Sequence, residues 1–441
     1  MDKLILRLAS YKSEFIWFGL AQVVTLIAPL AFIRLYSNKL EPEVFGELSL
    51  WLAICVGVSL ITYSPNCASA VKFISESSDS ELSIKAYVDA LYRINQKHTG
   101  FAAFILLVIG LFLFLLHKEP GSLVSASASI AYFAAQSSFT LRYSIANALR
   151  HRKLAFIIAA IELIPRYILS AFCISILSGS VLVAFAAIAI WSPFSLQLFR
   201  LISSRKYTLA NTHRQDSINV VVPSTRIDEA SLKIKTYSRP LKYSGIAGFI
   251  QSLSDSFVLL FFHGPTAVAA FGILLKAVYT PLSYGIAQLI SFTEPLVFSK
   301  YAKRAQSSSI GLLSIKPSVI YVITLFTIVS LLLGIHLLGF KFIETVSERK
   351  FASILYSSAP YIGISALLFC FSQFQALVIT AVRGPRICLA PRLFYSSVLI
   401  GLNIVLGQYY SVLGLAISYL VASILFFVLI QLVYLRTLDK L

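Results

Sequence analysis

The chain has 441 residues, 58% of them hydrophobic and only 13% charged, with a mean hydropathy of +0.82. Soluble globular chains carry about 25% charged residues, so this composition excludes a soluble domain and predicts an all-α polytopic membrane protein. The net charge of +18 would suit a nucleic-acid partner, but the basic residues are spread over short loops rather than gathered on one soluble face, which excludes that class.

Twelve apolar segments are predicted, at about 14–34, 47–70, 99–117, 121–146, 154–177, 181–203, 240–262, 267–298, 316–339, 353–381, 392–410 and 412–435. The N-terminal run MDKLILRLASYKSEF is basic, and no small-residue cleavage site comes after the first apolar segment. That segment therefore reads as retained rather than as a signal peptide. The polar stretch at 75–98 predicts an amphipathic surface helix, with Tyr87, Leu91 and Ile94 on one side. The longest polar gap, 204–239, reads as a basic cytoplasmic linker between an N-terminal six-helix half (1–203) and a C-terminal six-helix half (240–441) around a central cavity.

Lys and Arg set the orientation. One alternating set of loops, with both termini, holds 28 of them, the opposite set holds 6, and Arg142, Arg166 and Lys276 lie within segments. Positive residues favour the cytoplasmic side, so both termini are expected there. An internal repeat supports the two halves. Gly19-Leu20-Ala21 opens a run closing at Phe45-Gly46, and Gly245-Ile246-Ala247 opens one closing at Phe271-Gly272, at a constant offset of 226. An even number of segments between the copies makes this a parallel repeat.

No chemistry of the usual enzymatic kinds is legible. Cys55, Cys67, Cys173, Cys370 and Cys388 are isolated, with no CxxC spacing, and the six histidines show no HExxH pattern. There is no Walker, Rossmann or GxSxG pattern, so neither a metal, a cofactor nor a catalytic residue is expected.

The informative residues are the intramembrane charges, which are costly in lipid and usually face a bundle interior or a wet cavity. Lys276, Thr280, Ser283, Ala287, Ser291 and Glu294 recur at spacings of 4, 3, 4, 4 and 3, which places them in one stripe of a regular helix. The stripe lines a central path or forms a polar seam between helices. Glu294 is also close enough to the segment's end to be solvated. Asp255, one turn beyond Gln251, is a protonation site, a counter-ion to Lys276, a structural ion pair or a carboxylate held neutral by burial. Glu162 and Arg166 are spaced i,i+4 in the favourable order and either neutralise each other or serve the path, with a kink expected at Pro165. Arg142 snorkels to the interface or lines a cavity with Gln136, Ser138 and Asn147 for company; Arg34 is expected to snorkel.

Three local patterns carry a family likeness: Pro29…Arg34-Leu35…Leu40-Glu41-Pro42-Glu43-Val44-Phe45-Gly46; Ser254-Asp255-Ser256-Phe257-Val258-Leu259 and then Ala267-Val268-Ala269-Ala270-Phe271-Gly272; and Lys276 with Pro281 five residues on. With the twelve-segment, two-half layout, the chain resembles the O-antigen and polysaccharide flippases of the multidrug/oligosaccharidyl-lipid/polysaccharide exporter superfamily.

That resemblance implies a non-enzymatic translocator of an undecaprenyl-pyrophosphate-linked oligosaccharide in the bacterial inner membrane, working by alternating access beside a polysaccharide polymerase. It implies that Lys276, Arg166 and Arg142 meet the pyrophosphate, with Thr280, Ser283 and Gln251 as polar lining and Asp255, Glu294 and Glu162 in coupling or charge pairing. The basic loops would favour anionic membrane lipids. A cation-coupled drug exporter of the same superfamily is the alternative; such exporters carry a carboxylate within the first helix, where this chain has Gln22 and Thr25, with Glu14 only at its start. A membrane-embedded polymerase or glycosyltransferase is a further alternative, disfavoured by short outer connections.

Overall fold

The computed structural model describes residues 14, 16–25, 36, 39–77, 81–117, 121–176, 181–210, 222–280, 282–283, 290, 294, 298 and 349–438. The expected segment at 316–339 lies outside these, as do Arg34, Pro281, Ala287 and Ser291. The described residues are almost wholly helical and include no strand.

In chain order the helices are α1 (Ile16–Thr25), α2 (Pro42–Ile61), α3 (Ser64–Glu76), α4 (Glu81–His117), α5 (Gly121–Ala148), α6 (Arg152–Ile176), α7 (Val181–Ala210), α8 (Ser224–His263), α9 (Pro265–Leu274), α10 (Arg349–Arg383) and α11 (Leu389–Leu438). Among the described residues six helices are long and apolar enough to cross a membrane. The chain is a polytopic membrane protein. Within α11 the backbone of Ser411 leaves helical geometry at φ 52° and ψ −132°. The chain turns back there: Arg392 before the break donates to Gln373 of α10, and Gln431 after it pairs with Gln375 of the same helix. This reversal separates the segments expected at 392–410 and 412–435.

Three elements differ from their sequence expectation, each for a physical reason. The second segment breaks at Thr62 and Tyr63 because Pro65 stands in the first turn of α3, where its missing N–H is tolerated only at a helix start. The amphipathic stretch before segment three is no separate surface helix. Residues 81–98 hold neither Gly nor Pro, and they run on into the apolar part as one 37-residue helix. Most of the expected linker is helical as well, since α7 runs to Ala210 and α8 starts at Ser224. Ile227, Ala230, Ile234 and Ser238 form a buried stripe, and Tyr237 sets its ring edge-on to Phe73 at 5.6 Å, with Lys72 Nζ 4.5 Å above Tyr237. Burial of this stripe makes the helix stable where an isolated one would not be.

The chain divides into two compact units. The first comprises Met1–Pro29 and Thr62–Arg239, the second Leu30–Ile61 and Pro240–Leu441. In the first, α5 and α6 pack through Ala146, Ala155 and Ala159 around Phe139, Ile158 and Leu163, small residues that let the helices approach closely. α6 and α7 then lie antiparallel, and α6 continues as helix through Pro165. A proline at 165 frees the carbonyl of Ile161, and the Trp191 indole N–H donates to it at 2.9 Å. Replacement of the lost backbone bond by a side chain on the neighbouring helix keeps the proline tolerable.

In the second unit the repeated glycines mark the crossings of α2. Any side chain at Gly46 would run into the backbone of Pro265 at the start of α9, and one at Gly272 would meet the Ser49 hydroxyl at 2.8 Å. At the other end of α2, a side chain at Gly245 would collide with the Leu60 carbonyl. Close backbone approach, rather than conformational freedom, requires glycine at these positions.

Candidate functional site: buried charge centres

The first unit holds a charge cluster that joins α5, α6 and α7. Glu162 of α6 lies between Arg142 of α5 and Arg166 one turn further along α6. Arg142 Nη2 donates to Glu162 Oε2 at 3.3 Å, and Arg166 Nη2 stands 3.6 Å from Oε1. Ser195 of α7 donates a short hydrogen bond to Glu162 Oε2. Arg166 Nη1 donates to Gln136 Oε1 at 2.9 Å, its guanidinium lies 5.9 Å from the Tyr132 ring, and Arg142 Nε donates to the Ser138 carbonyl at 3.2 Å. Arg142 is 6% exposed and Glu162 and Arg166 each 1%, which rules out snorkelling for Arg142.

Two guanidiniums thus contact one carboxylate. Burying an ion costs several kcal/mol even after relaxation, so such a charge cluster inside a helix bundle is a costly feature. Arg166 Nε also has no hydrogen-bond acceptor among the described residues.

The second unit holds Lys276 and Asp255 apart. Lys276 is half-buried in a π-helical turn, Leu275–Tyr279, whose extra residue rotates the turns beyond it relative to a regular helix. Thr280 caps that turn by donating to the Leu275 carbonyl at 2.9 Å, and Ser283 donates to the Thr280 carbonyl at 3.1 Å. Both hydroxyls serve their own helix. Asp255 of α8 is 4% exposed and accepts from Asn403 Nδ2 and the Tyr419 hydroxyl, one from each arm of α11. Among the described residues no ion pair joins Asp255 to Lys276. Gln251, one turn earlier on α8, accepts from the Ser396 hydroxyl at 3.4 Å. Glu294 is helical and half-buried.

The model of the family described as "Polysaccharide biosynthesis protein" matches residues 12–293. The chain belongs to this family. Its fold is that of the MATE transporters. The Vibrio cholerae MATE transporter VcmN, in a mutant form, superposes with a TM-score of 0.69 at 13% identity, over 98% of each chain. The outward-facing conformation of a multidrug resistance MATE family transporter of the MOP superfamily superposes with a TM-score of 0.68 at 13% identity, over 97% of this chain and 95% of that one. Its inward-facing counterpart gives 0.60 at 14% identity, over 95% and 96%. No curated protein matches the chain in sequence.

In this family member the residues singled out from sequence thus fall into two groups. Arg142, Glu162 and Arg166 come together; Lys276, Asp255, Gln251, Thr280 and Ser283 lie in the second unit without forming one cluster. Sequence reasoning passed over Ser195, Tyr132, Asn403 and Tyr419, whose partners lie on other helices. For Asn403 a signal was present, since it is the only Asn in its apolar segment. It also passed over how the start of α1 is held. Arg150 Nη2 donates to Glu14 at 2.7 and 2.9 Å, Arg152 lies 4.9 Å from the Phe18 ring, and Lys153 Nζ lies 5.1 Å from the Trp17 ring. Further along α1, Gln22 Nε2 donates to the Tyr143 hydroxyl at 2.8 Å, and Thr25 donates to Gln22 Oε1 at 3.1 Å.

Proposed function

We propose that the chain is a flippase, moving undecaprenyl-pyrophosphate-linked oligosaccharide repeat units, such as O-antigen units, across the bacterial inner membrane by alternating access. The observation that carries this reading is the pair of guanidiniums, Arg142 and Arg166, buried around Glu162 in helices of a polysaccharide biosynthesis family member. A lipid-linked pyrophosphate needs fixed cations inside an apolar shell; Arg142 and Arg166 are candidates within the first unit, and Lys276 is a separate candidate within the second. Both termini face the cytoplasm, where the Lys/Arg excess lies, and the flipped units pass to a polymerase on the outer side. Asp255, buried yet hydrogen-bonded, serves ion coupling.

Drug–cation exchange is the second reading, favoured by the fold of multidrug MATE proteins. The engagement of Glu14 by Arg150 counts against it, since that carboxylate at the start of α1 is already paired.

The test is export of surface polysaccharide in cells that depend on this chain. Lys276→Ala and Arg142→Gln should each abolish export while the protein inserts at normal amounts. Normal export by both variants, or sugar–sugar bond formation by the purified chain, would overturn the flippase reading. Cysteines placed near Ser224 should react only from the cytoplasmic side; labelling from outside would reverse the orientation.

A further inference from the structure

Asp255 of α8 sits where both arms of α11 meet it. One carboxylate oxygen accepts from Asn403 Nδ2 and the other from the Tyr419 hydroxyl. Asn403 Nδ2 also reaches Ser254 Oγ at 3.4 Å. With the amide turned that way, Asn403 Oδ1 is left buried with no hydrogen-bond partner. The whole residue is shut off from solvent, so water does not satisfy that oxygen. A buried acceptor without a donor is costly, and it asks for a reason.

Tyr419 is held in place. Ser365 of α10 donates to its carbonyl at 3.0 Å, and the rings of Phe271 and Tyr279 flank its own with centroids 5.9 and 5.8 Å away. Hydrogens on two fixed donors, rather than oxygen lone pairs, therefore face the two Asp255 oxygens. Hard metal cations take about six oxygen ligands. Among the described residues no three of His, Cys, Asp and Glu gather. A proton needs one lone pair only. The titratable side chains that bear on Asp255 electrostatically are Tyr279, Tyr395 and Tyr419. All three are phenols, which carry no charge near neutral pH.

Asn403 suits both protonation states of its neighbour. With Asp255 ionised, the amide donates as it does here. When the carboxylate takes a proton from a hydronium ion, releasing water, the new O–H needs an acceptor. Turning the amide over presents Oδ1 to it, and Nδ2 becomes the unpaired atom instead. One amide atom is left over in either state, so hydrogen bonding favours neither strongly.

We propose that Asp255 is a proton-binding site closed to metal cations. Tyr419 is the group that excludes the metal, and the Asn403 amide reverses as the proton arrives. The coupled ion is then a proton, a step that rests on the coupling role given to Asp255 above; the proton site itself does not.

Infrared difference spectroscopy of the purified full chain, acid minus alkaline, tests this without substrate or gradient. The wild type should show a protonated-carboxyl band that Asp255→Asn removes. It should also show a side-chain amide band that moves on heavy-nitrogen labelling of asparagine and is lost in both Asp255→Asn and Asn403→Ala. The pH midpoint of the carboxyl band should be the same in sodium and in choline buffers of equal ionic strength. Tyr419→Phe should lower that midpoint in sodium, because a metal ion then competes. If that variant fails to fold, Asn403→Ala uncovers the other oxygen and serves the same purpose. A sodium-dependent midpoint in the wild type, the lack of an Asp255-dependent carboxyl band, an amide band indifferent to Asp255→Asn, or a sodium-independent midpoint in the uncovered variant would each overturn the proposal. Unchanged export in cells carrying Asp255→Asn would strike the coupling reading, and with it the proton as coupled ion, while the spectra decide the site separately.

Discussion

Arg150 and Gly384 stand at equivalent turns of the two units, α5 to α6 and α10 to α11, and both have positive φ, 59° and 83°. The second unit uses the residue that takes this conformation freely. The first places an arginine there, at a cost of about 1 kcal/mol. His151 N donates to the Ala146 carbonyl at 2.9 Å and Arg150 N to the Asn147 carbonyl at 3.0 Å, so the helix end is closed by the usual left-handed cap. The arginine adds a paired contact with Glu14. That contact is partly exposed, at 36% and 25%, and is worth at most about 1 kcal/mol. Arg150→Gly should therefore leave stability nearly unchanged, because strain and ion pair are lost together. Arg150→Val loses the pair and adds a β-branched side chain at positive φ. It should be about 1–2 kcal/mol less stable than the glycine variant in detergent unfolding. Equal stability of the two would show that the turn is unstrained.

The buried cluster predicts an asymmetry between its members. Glu162→Gln leaves two guanidiniums without a carboxylate and should cost about 3–5 kcal/mol, with loss of folded protein. Arg142→Gln leaves one guanidinium facing one carboxylate and should fold much better. Thermal unfolding of the purified variants separates the two. Greater damage from Arg142→Gln than from Glu162→Gln would mean that the cluster is not held by its single carboxylate.

Asp255 is held from both arms of α11. Asp255→Ala strips the acceptor from Asn403 and Tyr419 together and should destabilise by about 1–3 kcal/mol. Asp255→Asn keeps an acceptor oxygen and should cost about 1 kcal/mol or less. If ionisation of Asp255 serves coupling, the asparagine variant, although folded, should lose gradient-driven transport in proteoliposomes. Retained transport would leave Asp255 a structural tie between α8 and α11.

The repeat predicts unequal tolerance of its matched glycines. An added methyl at Gly245 collides with the Leu60 backbone, whereas one at Gly19 meets no described atom within 4 Å. Gly245→Ala should lower folded yield by forcing α2 off α8. Gly19→Ala should be neutral or stabilising by up to about 1 kcal/mol through helix propensity. Similar effects at both sites would mean that α2 does not approach α8 so closely.

The turns at Arg150 and Gly384 also allow a position-by-position comparison of the two units. Counting back from the turns, Arg142 corresponds to Ala376; counting on, Glu162 and Arg166 correspond to Ser396 and Ile400. One unit carries its charges inside, and the other carries neutral residues at the same places.

By itself the sequence determined the membrane class, most of the apolar segments and which charges lie in costly places. These come from sums over neighbouring residues, because hydropathy and helical spacing are local. It also placed Glu162 next to Arg166, since four residues is one helical turn. Only the tertiary structure decided that Arg142 joins them, that Trp191 replaces the bond lost at Pro165, and that Asp255 finds Asn403 and Tyr419, 148 and 164 positions away. Such pairings depend on how each helix is rotated against its neighbour. That rotation is set by interlocking small residues such as Gly46 and Gly245 and by buried polar groups that must find partners, and neither is visible along a single helix.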